Sequence, residues 1–377
     1  MSRARRVRKT RIVSSIAALA LVVAACGGAE EEVDEGPSEE VEEPEEAEEP
    51  EEPDEEPEAE AESVLAGATI EFVVPFNPGG GYDTYARLIA PELESALGAT
   101  VTVSNVPGAG GLVALNQTWA GRTDGTLIQI VEGASALLAE LSGQEEVQFQ
   151  AAEFDWLSGV LGEPTVVTTS ADGDITDIDS MIAAAERDGA LRLTSTGVMN
   201  AHSVAGLVLE RALGVPVQII GGFDGTDAAF GAVLRGEAHG LLASIGTGSS
   251  FANAGEGNII VSLSNERPGF AQDVVALGEL DVDPDAVELI EMQSAIADIT
   301  RAVVAPPGTD AAAVAELRAA FEQVLTDPAF LQEAADQGRD LEWRSGEEVQ
   351  SMVVAALGSP PDAYLALIEE TFERAAG

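Results

Sequence analysis

Hydrophobic positions along this chain fall into two alternating patterns: short runs of β-favouring residues, and longer stretches in which apolar residues return every three or four positions. The first run, Ile70, Phe72, Val73 and Val74, is too short for an independent helix and stops at Pro75, which predicts a buried strand. After it, Tyr85, Leu88, Ile89, Leu93 and Leu97 recur at helical spacing. Further strand-like runs at 100–103, 127–131, 166–169, 191–195, 217–220, 239–243, 259–263 and 302–305 are interleaved with helical patterns. Such alternation predicts α/β architecture with mainly parallel strands. Pro306, Pro307, Gly308 and Thr309 end the last run, and Thr309 or Asp310 is placed to cap a helix over 311–325. From residue 67 onward there are about 310 residues, more than one core comfortably holds, so two lobes are expected.

The junction between the first strand and its helix is the most informative segment. Pro75 and Pro78 stop regular structure, and Gly79, Gly80 and Gly81 lack the Cβ atoms that would hold a ligand away from the backbone. Asp83 or Thr84 can cap the helix that follows. A helix N-terminus preceded by free loop amides attracts an anion without any lysine, because unpaired N–H groups and the helix dipole both favour negative charge. The alternative is a tight turn that only packs strand on helix. In sheets of this kind ligands sit beyond the carboxyl ends of the strands, which is where this loop falls.

Charge changes the picture at the N-terminus. Arg3, Arg5, Arg6, Arg8, Lys9 and Arg11 precede an apolar span over 12–25 that is shorter than the roughly 18 residues a bilayer requires, so residues 1–25 read as an export signal. Val23, Ala24, Ala25 and Cys26 resemble a bacterial lipobox, in which Cys26 would carry the lipid that holds the protein on the membrane. An ordinary secretory signal with an incidental cysteine is the alternative. Cys26 is the only cysteine, which excludes intrachain disulfides. Residues 30–62 are almost entirely Glu, Pro, Ala and Asp, with 21 acids and no base. That composition repels itself and buries nothing, so the segment 26–66 reads as a lipidated cysteine followed by a disordered tether. From Ser63 onward 46 acids face 12 bases, every one an arginine. A net charge of about −34 argues against nucleic acid and anionic lipid as partners. It also requires any anionic ligand to be held by local dipoles, or the medium to be salty enough to screen the field.

The words of the sequence then point to a family. VVPFNPGGGYDTYARLIAPELESALGATVTVSNVPGAGGLVA, TDGTLI at 123–128, TSTG at 194–197, GGFDGTDAAFGAVLRGEAHGLLAS at 221–244 and the stretch from Val303 to Phe330 occur in order. Together they resemble the extracytoplasmic solute receptors of tripartite tricarboxylate transporters, often called the Bug family, whose signatures include PF-x-PGG-x-x-D-x-x-AR and N-x-PGAGG. The resemblance implies a two-lobed class II periplasmic-binding-protein fold with a ligand cleft between the lobes. It implies a discontinuous first lobe, 67–165 and 302–377, around a second lobe, 166–301. It also implies a small carboxylate as ligand and membrane permease subunits as partners, with no cofactor.

In the family the glycine loop supplies backbone amides to a ligand carboxylate, so Phe76, Asn77, Gly80, Gly81, Tyr82, Asp83 and Thr84 are candidates for the first jaw. Asp83 is either a helix cap or an acceptor for a ligand hydroxyl or amine, and Arg87, four residues on, is spaced to pair with it. Ser135, after the strand at 127–131, is a ligand donor or a plain cap. The second jaw follows the strand at 191–195, where the family usually has a pattern like GSAGNGSPSH and this chain has TSTGVMNAHS. Ser195 and Gly197 match, Thr196 lies between them, and Asn200, His202 and Ser203 stand in place of serine, serine and histidine. Phe223 and Asp224 replace the family's common tyrosine and lysine, so the ligand is expected to differ from a highly charged tricarboxylate. Ser244 closes the set at the end of the strand over 239–243.

Signatures of catalysis are few. The two histidines, His202 and His239, form no HExxH and have no cysteine partner, and the GAGG at 108–111 follows a proline turn without the third glycine of a dinucleotide fingerprint. The sequence therefore reads as a membrane-tethered, extracytoplasmic solute receptor with no metal site. A sensory receptor of the same fold and an enzyme on a two-lobed α/β scaffold are the alternatives.

Overall fold

A computed structural model describes residues 63–376 except 144, 198, 199 and 224. The export segment, Cys26, nearly all of the acidic tether, Met199 and Asp224 lie outside the described residues.

The chain passes first through β1 (Thr69–Val74), α1 (Gly81–Leu97), β2 (Thr100–Asn105), α2 (Leu112–Trp119), β3 (Leu127–Glu132), α3 (Gly133–Leu141) and β4 (Asp155–Leu161). It then runs through β5 (Thr165–Ser170), α4 (Ile178–Asp188), β6 (Leu191–Thr194), α5 (Ala201–Leu213), β7 (Val217–Ile220), α6 (Thr226–Leu234), β8 (Gly240–Ser244), α7 (Ile245–Asn253) and β9 (Gly257–Ser262). After α8 (Val287–Ala297) it returns with β10 (Arg301–Ala305). It finishes in α9 (Ala311–Thr326), α10 (Pro328–Asp336), β11 (Arg344–Ser345), α11 (Gly346–Gly358) and α12 (Asp362–Ala376).

Two sheets result, in the orders β11-β4-β10-β3-β1-β2 and β7-β6-β8-β5-β9. The expectation of mainly parallel strands needs correcting. β1 pairs in parallel with β2 and β3, and β6 with β7 and β8, but β10 runs antiparallel to β3 and β4, β5 antiparallel to β8 and β9, and β11 antiparallel to β4. β10 and β11 in the first sheet and β5 in the second run against the other strands; β5 follows β4 across a short passage between the sheets, with no crossover helix to set its direction. The parallel strands keep the βα arrangement in which loops gather beyond the carboxyl ends.

Each sheet is buried on both faces. Ile70, Phe72 and Val74 of β1 pack with Tyr85, Ile89 and Leu93 of α1 and with Leu317 and Phe321 of α9, while Val73 points the other way, toward Ala114 of α2. In the second sheet Phe230 and Val233 of α6 pack beneath Leu241 and Ala243 of β8. A third cluster is continuous from Leu137 of α3 and Trp156 of β4 to Leu207 of α5, Ile290 of α8 and Tyr364 of α12. The last helix thus leaves the first sheet's layers and packs on α5 and α8, held by Arg374 to Glu210 and by the Tyr364 hydroxyl, which donates to Gln293 Oε1 at 2.9 Å. Asp310 caps α9, accepting from the Ala312 and Ala313 amides, and Asp327 with Pro328 starts α10.

Candidate functional site

The five loops that carry the candidate residues leave the carboxyl ends of β1, β3, β6, β7 and β8. In the β1–α1 loop the helix starts at Gly81 with Gly80 as N-cap and no side-chain cap, so neither Asp83 nor Thr84 occupies the cap position. Asp83 lies inside the first turn and reaches back: its carboxylate accepts from the Gly79 amide at 2.9 Å, from Asn105 Nδ2 at 2.9 Å, and from Arg87 Nε at 2.9 and 3.0 Å. With all these donors around it, and Arg87 foremost, Asp83 is held at a pKa of about 2. Asn105 also donates to the Phe76 carbonyl at 2.9 Å. The asparagine of the NVPGAGG stretch therefore braces the glycine loop from the neighbouring strand. Thr84 Oγ1 donates to the Gly80 carbonyl at 3.0 Å, Asn77 is exposed, and the Phe76 and Tyr82 rings pack 4.8 Å apart.

Beneath this loop is a group that the sequence did not single out. Arg301, the first residue of β10, is only 8% exposed and its guanidinium sits over the Tyr82 ring at 4.7 Å and the Tyr85 ring at 4.5 Å. It forms an ion pair with Glu163, which is 4% exposed and lies in the passage from β4 to β5. Burial disfavours the Arg301 charge, but Glu163 and the neighbouring groups outweigh it and its pKa rises. Burial also raises the Tyr82 hydroxyl, and it raises that of Tyr85 to about 12. Tyr82 Oη donates to the Thr300 carbonyl at 3.1 Å. Glu132, at the end of β3, accepts from the Ser135 amide at 2.8 Å, and burial raises its pKa. Ser135 is thus in a helix first turn whose cap is Glu132. Gly133 has no room for a side chain, because a Cβ there would strike the Ile299 carbonyl.

The second jaw is knit by its own hydroxyls. Asn200 caps α5, its Oδ1 accepting from the Ser203 amide at 3.0 Å, and its amide group lies 3.3 Å from Ser195 Oγ and 3.4 Å from Thr196 Oγ1. Ser195 is fully buried, and Ser203 Oγ donates to the Gly197 carbonyl at 2.8 Å. His202 Nδ1 lies 2.8 Å from Thr165 Oγ1, at the point where the chain enters the second sheet. Burial lowers its pKa to about 4, so it is neutral at pH 7. Phe223 packs against the cluster of Phe230 and Leu241, and Ser244 is the N-cap of α7. Ser135 of the first jaw and Asn200 of the second line one cavity of about 40 Å³, with Val204, Ile368 and Phe372 among its other walls. A cavity of about 470 Å³ lined by Asp155, Thr309, Arg318 and Trp343 lies at the start of β4 and contains none of the candidates.

The profile described as the tripartite tricarboxylate transporter family receptor matches residues 85–357. The chain belongs to that family. The match begins within α1, directly after the glycine loop, and ends before α12. Protein BugT of Bordetella pertussis is 27% identical over 273 residues, which span 71% of this chain and 80% of BugT. Among solved structures, the periplasmic binding protein BugD has a TM-score of 0.62 at 21% identity, covering 81% of this chain and 98% of BugD. MatC from Rhodopseudomonas palustris with bound malate has a TM-score of 0.61 at 21% identity, covering 80% of this chain and 99% of MatC. The two-sheet architecture is therefore the two-lobed fold of the Bug-type periplasmic receptors.

Proposed function

We propose that this receptor captures a small carboxylate between its two lobes outside the cytoplasm and delivers it to a tripartite tricarboxylate-type permease in the membrane. One observation carries the reading: strand-end loops of both sheets converge, with Ser135 and Asn200 on one cavity and the glycine loop stacked over the passage between the sheets. The malate held by a receptor of the same fold supports a carboxylate as the ligand class. Each jaw offers loop amides and small hydroxyls and needs no covalent step, so capture rests on hydrogen bonds shared between lobes. A ligand touching both lobes stabilises their closed arrangement by its differential affinity.

The side chains of Asp83, Ser195 and Ser203 are occupied by protein partners and act by shaping the loops. Gly80, Gly81, Asn77, Thr196, Gly197, Asn200 and Ser135 are the positions proposed to meet the ligand, with Phe76, Tyr82, Phe223 and Ser244 around them. His202 presents a neutral imidazole, which suits a hydroxyl or aromatic part of a solute better than a second carboxylate. Cys26 is proposed to carry the lipid that keeps the receptor at the membrane, and the acidic segment to act as its tether. Thermal-shift screening against di- and tricarboxylates, aromatic acids and amino acids tests the ligand class: a rise in melting temperature with carboxylates is expected, and no shift with any of them defeats it. Metabolic labelling with palmitate tests the anchor, with label on the wild type and none on Cys26→Ser.

A further inference from the structure

The two chain passages between the sheets lie side by side. The Glu163 amide donates to the Ala297 carbonyl at 3.1 Å, and Thr300 Oγ1 donates to the same carbonyl at 2.7 Å. At this junction one buried cation touches the first jaw directly and, through its ion-pair partner, a helix of the second sheet. On the side of the first jaw, Arg301 fills the space between Tyr82 and Tyr85, and a Cβ added to Gly81 would lie 3.2 Å from its Nη2. Toward the second lobe, its partner Glu163 packs against Gly246 in the first turn of α7, where an added Cβ would collide with the Glu163 carboxylate. The contacts thus run unbroken from the glycine loop through an ion pair to a helix of the other lobe. Arg301 Nε has no hydrogen-bond partner among the described residues. Leaving a buried charged donor unmet is costly, and a buried ion pair is seldom a source of net stability, so this pair is better explained by what it positions than by what it stabilises.

We propose that Arg301 is a positioning residue which, through Glu163, fixes the glycine loop relative to the second lobe and so couples ligand capture at the loop to lobe closure. The proposal rests on the carboxylate-receptor reading. It accounts for the close fit of Gly81 against the guanidinium, and it gives one of the twelve arginines from Ser63 onward a buried role at the junction, independent of surface charge.

The test uses the mature receptor, with malate and citrate as probes, and reads affinity by calorimetry and ligand-induced compaction by small-angle X-ray scattering. Arg301→Met and Glu163→Gln are each expected to weaken binding at least tenfold and to remove the compaction. The double variant should be no weaker than the worse single one, and Arg301→Lys should recover part of both signals. Gly246→Ala leaves every charge in place, displaces Glu163, and should weaken binding in the same direction, which keeps the test decisive if Arg301→Met does not fold. Folded variants that bind and compact within twofold of wild type overturn the proposal while the receptor reading stands. A wild type that binds neither of these nor any other small carboxylate, the aromatic acids included, overturns both.

Discussion

At the residue scale the site is governed by how few of its polar side chains are free. Asp83 accepts from Gly79, Asn105 and Arg87, which leaves it little capacity for a ligand and makes it the pin of the loop. Asp83→Asn removes the charge from these bonds and is expected to destabilise the fold by about 1–3 kcal/mol, measured by urea denaturation. Because its pKa falls from 3.8 to about 2 on folding, its stabilising contribution is complete above pH 4 and is lost as pH falls toward 2. His202 acts in a different window. Its pKa is lowered from 6.5 to about 4, so the unfolded chain binds the proton first, and the contribution of neutral His202 is present above pH 6.5 and lost as pH falls toward 4. Melting curves of wild type and His202→Asn between pH 4 and 7 should therefore diverge in slope, with the variant less sensitive to acid; parallel curves would contradict the burial of a neutral imidazole.

The elements show what the pattern of residues could and could not disclose. β7 occurs at 217–220, where its apolar run ends cleanly, and β1, β3, β8 and β10 lie within a residue or two of expectation. β4 is not legible in the sequence, because Ser158 and Gly159 interrupt Trp156, Leu157, Val160 and Leu161 and imitate a turn. Gly159 is there because the side chain of Arg344 in β11 lies 3.0 Å from where its Cβ would be, a long-range contact with no local signature. Arg301 is hidden for a similar reason: a lone arginine before an apolar strand looks like a linker residue, and only the fold places it beneath Tyr82 and Tyr85. The glycine loop, by contrast, was legible as a strand-to-helix junction, although the helix begins at Gly81 and the expected caps fall inside its first turn. Its lack of a side chain is the testable part. Gly81→Val puts branched carbons against Arg301 and should reduce ligand affinity at least tenfold with a cooperative melt retained; unchanged affinity would remove this loop from the site.

For the whole molecule the dominant fact is charge. From Ser63 onward the excess of about 34 negative charges disfavours the compact state through self-repulsion, which added salt screens. The melting temperature should rise as sodium chloride is raised from 0.05 to 1 M (orders of magnitude at which the screening length falls from roughly 14 to 3 Å), and a flat or falling dependence would show that the acids are locally compensated. The same field requires any anionic ligand to be held by local dipoles, because the buried cation where β10 and the passage to β5 meet is already paired with Glu163. The most direct test of this account is a calorimetric titration of small di- and tricarboxylates into the wild-type receptor and into its Gly81→Val and Asn200→Ala variants. One site per chain is predicted for the wild type, weakened in each variant because the jaws lie in different lobes. Binding that neither substitution weakens, or no binding of any carboxylate, would contradict it.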